Sequence, residues 1–244
     1  MTRKIGVTGA AGFIGGHLAD YIDAQPGFEA VRIVREHFEE RHLSSVVAGC
    51  EAIVHLAGVS RSDEPQQLYR INMELLEHLI LAVRFAGVKP RILFGSTTHE
   101  AKQTKYHASK RDGRDRLDRA ARELGFESVG VLMPNVFGPG GKPHYNSVVA
   151  TFCADSRQGR RLTVYSDAGR VKLIYIDGLV RRLFELAAGD FPGNPVEIAP
   201  EFDVEVAGIA ARVTGFAAGK RPEPEDRFGV LLYRTWLSYP EKEC

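Results

Sequence analysis

The sequence predicts a doubly wound, parallel α/β sheet. Three observations carry that prediction: short apolar runs alternate with stretches of helical periodicity, a glycine turn joins the first run to the first helix, and 44% hydrophobic with 26% charged residues is the composition of a globular domain with a core. At 244 residues the chain amounts to about 1.6 domains of ~150 residues, so one large domain or one with an appendage is expected.

Lys4 to Thr8 (KIGVT) is an apolar run that stops at glycine, and Phe13 to Ile22 places Phe13, Ile14, Leu18, Tyr21 and Ile22 on one side of a helix. The alternation continues with a strand at Ala30 to Val34, a helix around Glu39 to Val47, a strand at Ala52 to Leu56, a helix from about Gln66 to Phe85 and a strand at Arg91 to Phe94. A helix at about Lys105 to Leu124 and a strand at Ser128 to Leu132 complete the sheet, whose ligand site is expected at the carboxyl ends of its strands. After Pro134 the character changes. Gly and Pro cluster in Phe137 to Pro143 (FGPGGKP), while apolar positions recur at Ile174, Ile176, Leu183, Ile198 and Ile209. Residues 1–134 are therefore expected as the core, and 135–244 as a small, discontinuous, mixed lobe with elements returning to that core.

Charges nearly cancel at +1, which leaves no basic excess for nucleic acid or anionic lipid. Cys50, Cys153 and Cys244 are few, widely spaced and in no CxxC pair, so a reducing compartment is expected and neither a disulfide framework nor a zinc site is. His37 and His42 are five apart, not the four that would align two ligands on a helix, and no metal is predicted. Arg3 and Lys4 precede a small-residue run that five glycines interrupt, unlike a secretory leader, and no stretch reaches the ~18 apolar residues of a membrane span. A cytoplasmic location without membrane attachment is expected.

Gly9, Gly12 and Gly15 form G-x-x-G-x-x-G between the first strand and first helix. Gly9 permits the tight turn, Gly12 lets backbone N–H groups approach a pyrophosphate, and Gly15 permits close helix packing, so Gly9, Ala11, Gly12, Phe13, Ile14 and Gly15 are expected to hold a dinucleotide. About twenty residues on, the second strand is expected to end at Arg35. Its guanidinium suits a 2′-phosphate and favours NADP over NAD, with Glu36 as a ribose acceptor the alternative. Tyr106 and Lys110 stand at i and i+4 on one helix face, where an ammonium eases proton exchange by the phenol. They follow Gly95-Ser96-Thr97 at a strand end.

His55, in an apolar strand, is expected to be structural, whereas His99 and His144 are better placed for substrate contact. The run Arg111, Arg114, Arg116, Arg119 and Arg122 alternates with acids and reads as a solvated helix face.

Gly9 to Gly15, His55-Leu56-Ala57-Gly58, Asn72, Ser96-Thr97, Tyr106 with Lys110, and Asn135-Val136-Phe137-Gly138-Pro139 together resemble an extended short-chain dehydrogenase/reductase of the NAD-dependent epimerase/dehydratase family, which has a Rossmann core. More narrowly, Ile53 to Val59, Pro134 to Gly138 and Lys142 to Cys153 resemble the reductase domain of CapF-type capsular-polysaccharide enzymes, which reduce a 4-keto UDP-N-acetyl-6-deoxysugar with NADPH. The resemblance implies that Tyr106 is the general acid, Lys110 its electrostatic partner and a ribose ligand, and Thr97, with Ser96 as rival, the hydroxyl bonding the reacting oxygen. It implies that Leu56, Ala57, Gly58 and Ser96 line the cofactor cleft, that Asn72 braces the neighbouring strand, and that Pro134 and Val136 flank the nicotinamide. Thr98, His99, Asn135, Lys142, Tyr145, Asn146 and Ser147 would face a nucleotide sugar. A homodimer is expected with it.

Departures are equally specific. No counterpart is seen for the extra strand whose Asp contacts adenine in much of the family, and the arginine usual before Tyr175-Ile176-Asp177 falls near Val171, with Arg170 adjacent. Dehydratases carry Asp-Glu after the catalytic threonine, where Thr98-His99 stand here. No cupin epimerase domain is expected before Cys244, which leaves that step to a separate epimerase or to none. The expected function is reduction of a 4-keto-6-deoxy nucleotide sugar by NADPH in polysaccharide or related sugar biosynthesis. The alternatives are a 4-epimerase that retains NAD(H) and a non-catalytic NADP-binding regulator.

Overall fold

A computed structural model describes residues 2–39 and 42–242. In chain order the elements are β1 (Arg3–Thr8), α1 (Phe13–Asp23), β2 (Phe28–Ile33), α2 (Arg35–Glu39), α3 (Leu43–Val47), β3 (Ala52–His55), α4 (Pro65–Ala86), β4 (Arg91–Thr97), α5 (Lys105–Leu124) and β5 (Glu127–Met133). They continue with β6 (Asn135–Phe137), α6 (Val148–Arg157), β7 (Arg170–Tyr175), α7 (Ile176–Ala188), β8 (Val196–Glu197), β9 (Phe202–Glu205), α8 (Val206–Ala217) and α9 (Arg227–Leu237). The chain divides into two compact units, Met1–Met133 with Asp177–Ile198 and Pro134–Ile176 with Ala199–Cys244.

In the first unit six strands lie in the order β2-β1-β3-β4-β5-β8, and every pairing is parallel. This is the expected doubly wound sheet. Its strands are covered on both faces, so Val7, Ile53, Val54, Ile92, Leu93, Val129 and Val131 are fully buried and read as near-continuous apolar runs. Helix α4 turns Leu68, Asn72, Leu76, Leu79, Ile80 and Val83 inward at helical spacing, and Gly87 at φ +66° stops it in the left-handed conformation that glycine accepts most readily. Strand order reverses between β1 and β3, which opens a crevice at their carboxyl ends.

Three local expectations change. Strand β4 runs to Thr97 rather than Phe94, because pairing with β5 extends as far as Thr97 opposite Met133 and holds polar residues in the sheet. Strand β2 ends at Ile33, and Arg35 opens α2 instead of closing the strand; the His37 Nδ1 accepts the Val34 N–H at 3.1 Å, turning the chain there. The single helix expected around Glu39 to Val47 is two short ones; Glu40 and Arg41, inside that span, lie outside the described residues, as does Cys244.

The second unit holds a three-stranded sheet, β6-β7-β9, with β6 parallel and β9 antiparallel to β7. Its core is aromatic: the Phe137 ring lies 5.2 Å from Tyr175, 5.7 Å from Phe228 and 6.0 Å from Phe202. Cys50 and Cys153 are buried free thiols, and burial raises the pKa of both. No described helix is long and apolar enough to cross a membrane.

Candidate functional site

The glycine turn stands at the crevice between β1 and β3. Gly9 has φ +71°, and a Cβ there would lie 3.0 Å from the Ala57 nitrogen; a Cβ on Gly15 would lie 2.2 Å from the Gly9 carbonyl oxygen. Both positions therefore require glycine. The turn is closed by the Gly9 N–H to the Ile33 carbonyl at 3.1 Å and the Gly12 N–H to the Gly9 carbonyl at 2.9 Å. Gly12 caps α1 with no side chain, so the first N–H groups of that helix point outward beside exposed Ala11 with only half-buried Phe13 and Ile14 over them. A small, positively polarised backbone cradle of this kind fits the pyrophosphate of a dinucleotide.

Beside it, the Thr8 hydroxyl organises the end of β3. Its oxygen accepts the Leu56 and Ala57 N–H groups at 3.1 and 3.0 Å and lies 2.9 Å from the His55 Nδ1. With two donors already on the oxygen, the hydroxyl proton goes to Nδ1, which makes His55 a neutral acceptor. Burial, assisted by the Lys110 charge, pushes its pKa down to about 3. The histidine is thus a structural one. Gly58 follows, where a Cβ would come within 3.1 Å of the Asn72 Oδ1.

Tyr106 and Lys110 lie on α5, whose first turn is capped by the Thr104 hydroxyl accepting the His107 N–H. Lys110 is 8% exposed, donates one N–H to the Gly95 carbonyl at 3.0 Å, and holds its Nζ 5.9 Å from the Tyr106 ring centroid and 5.2 Å from that of Phe94. Burial pulls its pKa down to about 8. It therefore remains mainly cationic at neutral pH, with ammonium protons beyond the one used by Gly95.

Asn72 joins these parts. Its amide accepts the Val59 N–H at 2.7 Å and donates to the Val59 carbonyl at 2.9 Å and to the Ser109 hydroxyl at 3.0 Å; Ser109 in turn donates to the Tyr106 carbonyl at 2.7 Å. A side chain satisfied on both its oxygen and nitrogen ties the segment after β3 to the first turns of α5.

At the end of β4, Ser96 is 3% exposed and donates its hydroxyl to the Glu100 Oε1 at 2.6 Å. Thr97 is half-buried and its Oγ1 accepts the His99 N–H at 3.2 Å, which leaves the hydroxyl proton to donate elsewhere. The two candidates for the oxygen-binding hydroxyl are thus unequal: Ser96 is committed and Thr97 retains its donor. Thr98 and His99 are half-buried, and His99 packs 6.5 Å from the His107 ring. Burial and then the nearby Lys102 lower the pKa of both histidines.

The second unit carries the remaining expected residues. Asn135 and Val136 are in β6, preceded by buried Pro134, and the Asn135 amide donates to the Lys172 carbonyl at 3.3 Å. Lys142 and Asn146 are exposed, with the Lys142 Nζ 4.9 Å from the half-buried Tyr145 ring. Ser147 caps α6 by accepting the Ala150 N–H at 3.2 Å. His144 adopts φ +55° and turns its Nε2 to Asp155 at 3.1 Å. Arg170 binds Asp203 at 2.9 Å and Glu205 at 3.6 Å within its own sheet.

Sequence reasoning missed two features. Thr8 looked like an ordinary last strand residue, and nothing in one sequence marks its three partners. Arg114 belongs to a run that reads as a solvated stripe, but it is 18% exposed and makes a two-pronged pair with Glu100; its spacing of four from Lys110 and eight from Tyr106 is the available signal.

Known proteins share the family and the fold of this chain. The model of the NAD-dependent epimerase/dehydratase family matches residues 5–191. A UDP-2-acetamido-2,6-beta-L-arabino-hexul-4-ose reductase of Pseudomonas aeruginosa is 30% identical over 97% of this chain, which spans 64% of that relative's length. The capsular polysaccharide assembling protein CapF of Staphylococcus aureus superposes with a TM-score of 0.84 at 28% identity, over 97% of this chain and 65% of that one. A Thermus thermophilus UDP-glucose 4-epimerase solved with NAD shares the fold at a TM-score of 0.80 and 19% identity, over 96% of this chain and 98% of that one.

Proposed function

Because the chain belongs to the NAD-dependent epimerase/dehydratase family, we propose that it is an NADPH-dependent reductase of a 4-keto-6-deoxy nucleotide sugar, carried on UDP and acting in the cytoplasm. The observation that carries this reading is the buried Lys110 one helical turn from Tyr106, hydrogen-bonded to Gly95 two residues before Thr97. The substrate class is supported by the P. aeruginosa relative, whose name is that of a UDP-sugar 4-ketone reductase.

A bound nicotinamide supplies the hydride. The chain's own residues supply the rest. The uncapped start of α1 and the Gly9–Gly15 turn hold the pyrophosphate, Leu56, Ala57 and Gly58 form the wall that Thr8 stiffens, and Arg35 meets the 2′-phosphate. Thr97 donates its hydroxyl to the keto oxygen, orienting and polarising it. Tyr106 gives its phenolic proton to that oxygen as negative charge develops. The Lys110 ammonium stabilises the resulting phenolate and offers its further N–H groups to ribose. Lys142, Tyr145 and Asn146 recognise the nucleotide sugar by charge, ring stacking and hydrogen bonds of the side-chain amide.

Glu100 argues against a dehydratase. Both its oxygens are held by Arg114 and one also by Ser96, so it is not placed to exchange a proton with substrate. The deciding experiment offers 4-keto-6-deoxy UDP-sugars and dTDP-sugars with NADPH and follows cofactor oxidation and product sugar together. Stoichiometric NADPH oxidation is expected with a UDP-sugar. Altered sugar with unchanged cofactor selects an epimerase, and binding without turnover selects a regulator. Reduction of simple ketones alone removes the nucleotide sugar from the proposal.

A further inference from the structure

We infer that Glu100 and Arg114 are positioning residues that lock the turn bearing Thr97 to the helix bearing Tyr106 and Lys110. The inference rests on the roles proposed above for those three residues. Tyr106, Lys110 and Arg114 succeed one another at intervals of four along α5, so they share one helix face. From the third position the Arg114 guanidinium reaches back to Glu100, Nε to Oε1 at 3.2 Å and Nη2 to Oε2 at 3.0 Å. The same Oε1 accepts the Ser96 hydroxyl at 2.6 Å.

Both charged side chains are largely sheltered, at 18% and 15% exposure, where a forked pair is directional and weakly screened. Between the two ends of this tie the chain is held further: Thr98 N–H donates to the Met133 carbonyl at 3.1 Å, and Glu100 N–H to the Thr97 carbonyl at 3.3 Å. An independent feature shows that the path of Arg114 is accommodated by the sheet. Its stem crosses β5 over Gly130, where a Cβ would lie 2.3 Å from the Arg114 Cδ. No other residue at 130 leaves room for that stem in its present place. A glycine inside a central strand costs strand stability, and here it admits the arginine.

The consequence concerns relative position. A hydroxyl that polarises the keto oxygen and a phenol that protonates it must converge on one atom, and a displacement of about 1 Å in such a pair lowers rate by roughly 10²-fold. The Glu100–Arg114 fork ties the element carrying the first to the element carrying the second. It also commits the Ser96 hydroxyl, leaving Thr97 as the donor.

The test uses a built-in control. Arg116 on the same helix forms an equally forked pair with Glu77, at 2.6 and 2.9 Å, away from these residues. In the whole protein, Arg114→Met is expected to lower kcat about 10- to 100-fold with the Kd for NADPH within about twofold, and to speed amide hydrogen exchange at residues 96–100. Arg116→Met is expected to do neither. Arg114→Lys, which keeps charge and stem but not the fork, should fall between, and serves if the Met variant folds poorly. Equal kcat losses in Arg114→Met and Arg116→Met, or unchanged exchange at 96–100, overturn the inference. So does a Glu100→Gln variant as inactive as Tyr106→Phe with the acid limb of its pH profile removed, because Glu100 would then be a proton donor. Should the wild-type protein reduce no nucleotide sugar, the proposed function fails on its own, and the exchange measurement, made without substrate, still decides whether the fork holds the turn.

Discussion

The Tyr106–Lys110 region and the 138–147 loop are built in opposite ways. Around Lys110 the polar side chains Thr8, Asn72, Ser96 and Ser109 are buried and bonded within the protein: Thr8 to the end of β3, Asn72 to Val59 and Ser109, Ser109 also to Tyr106, and Ser96 to Glu100. The loop that carries Lys142 and Tyr145 instead turns through Gly140 at φ +84° and His144 at φ +55°, keeps Lys142 and Asn146 in solvent, and is pinned by the Tyr239 hydroxyl to the Gly141 carbonyl at 2.6 Å. A network fixed before substrate arrives suits a reaction whose groups must not move, whereas exposed, long side chains on a glycine-rich loop suit recognition that tightens on binding. The expected consequence is that damage to the first region lowers turnover and damage to the second raises KM.

Tyr106→Phe breaks the first region most severely. Loss of the phenolic proton is expected to lower kcat by roughly 10² to 10⁴ while NADPH binding stays nearly intact; near-normal turnover would show that another acid, such as His99, serves. Arg35→Asp comes next, with a loss of preference for NADPH over NADH of about tenfold or more, since a charged contact to phosphate contributes roughly 1.5 to 3 kcal/mol. Equal dissociation constants for the two cofactors in the wild-type protein would move the ribose contact to Glu36.

Lys110 sharpens the comparison through pH. Its pKa is lowered by burial to about 8 from 10.5, so the unfolded chain holds its proton more strongly than the folded one. Stability is therefore lowered throughout the range below pH 8 and rises between about pH 8 and 10.5 as the folded lysine loses its charge first. Subtracting the unfolding free energies of Lys110→Met from those of wild type should reveal this rise, about 3 kcal/mol in all; a flat difference would mean that the amine is hydrated. The same substitution should weaken both cofactor binding and turnover. Lys142→Met is expected to have the smallest effect, a several-fold increase in KM for the nucleotide sugar with kcat and NADPH affinity unchanged. An equal fall in kcat would place Lys142 among the groups acting only in the transition state.

How much of this was legible follows from how local each signal is. The Gly9–Gly15 turn could be read because its demands, a left-handed residue and two missing side chains, fall within seven positions. Helix α5 spans the expected Lys105 to Leu124, and the structure shows the Thr104 side chain capping its start and Gly125, in the left-handed conformation, ending it. Strand β4 continues past the expected Phe94 because pairing with β5 keeps Gly95, Ser96 and Thr97, which carry no apolar pattern, in the sheet. The arginines of α5 looked alike in sequence.

By itself, then, the sequence determined the alternating architecture, the glycine cradle, the Tyr106/Lys110 pair and the family, because each rests on short-range geometry or an ordered set of motifs. Tertiary structure alone decided that Arg114 leaves its solvated stripe for Glu100, that Ser96 is committed while Thr97 retains its donor, that Arg170 is held by Asp203, and that His55 is neutral. Each of those outcomes depends on which distant segment lies within about 3 Å of a polar atom, and on how much water burial has removed from it.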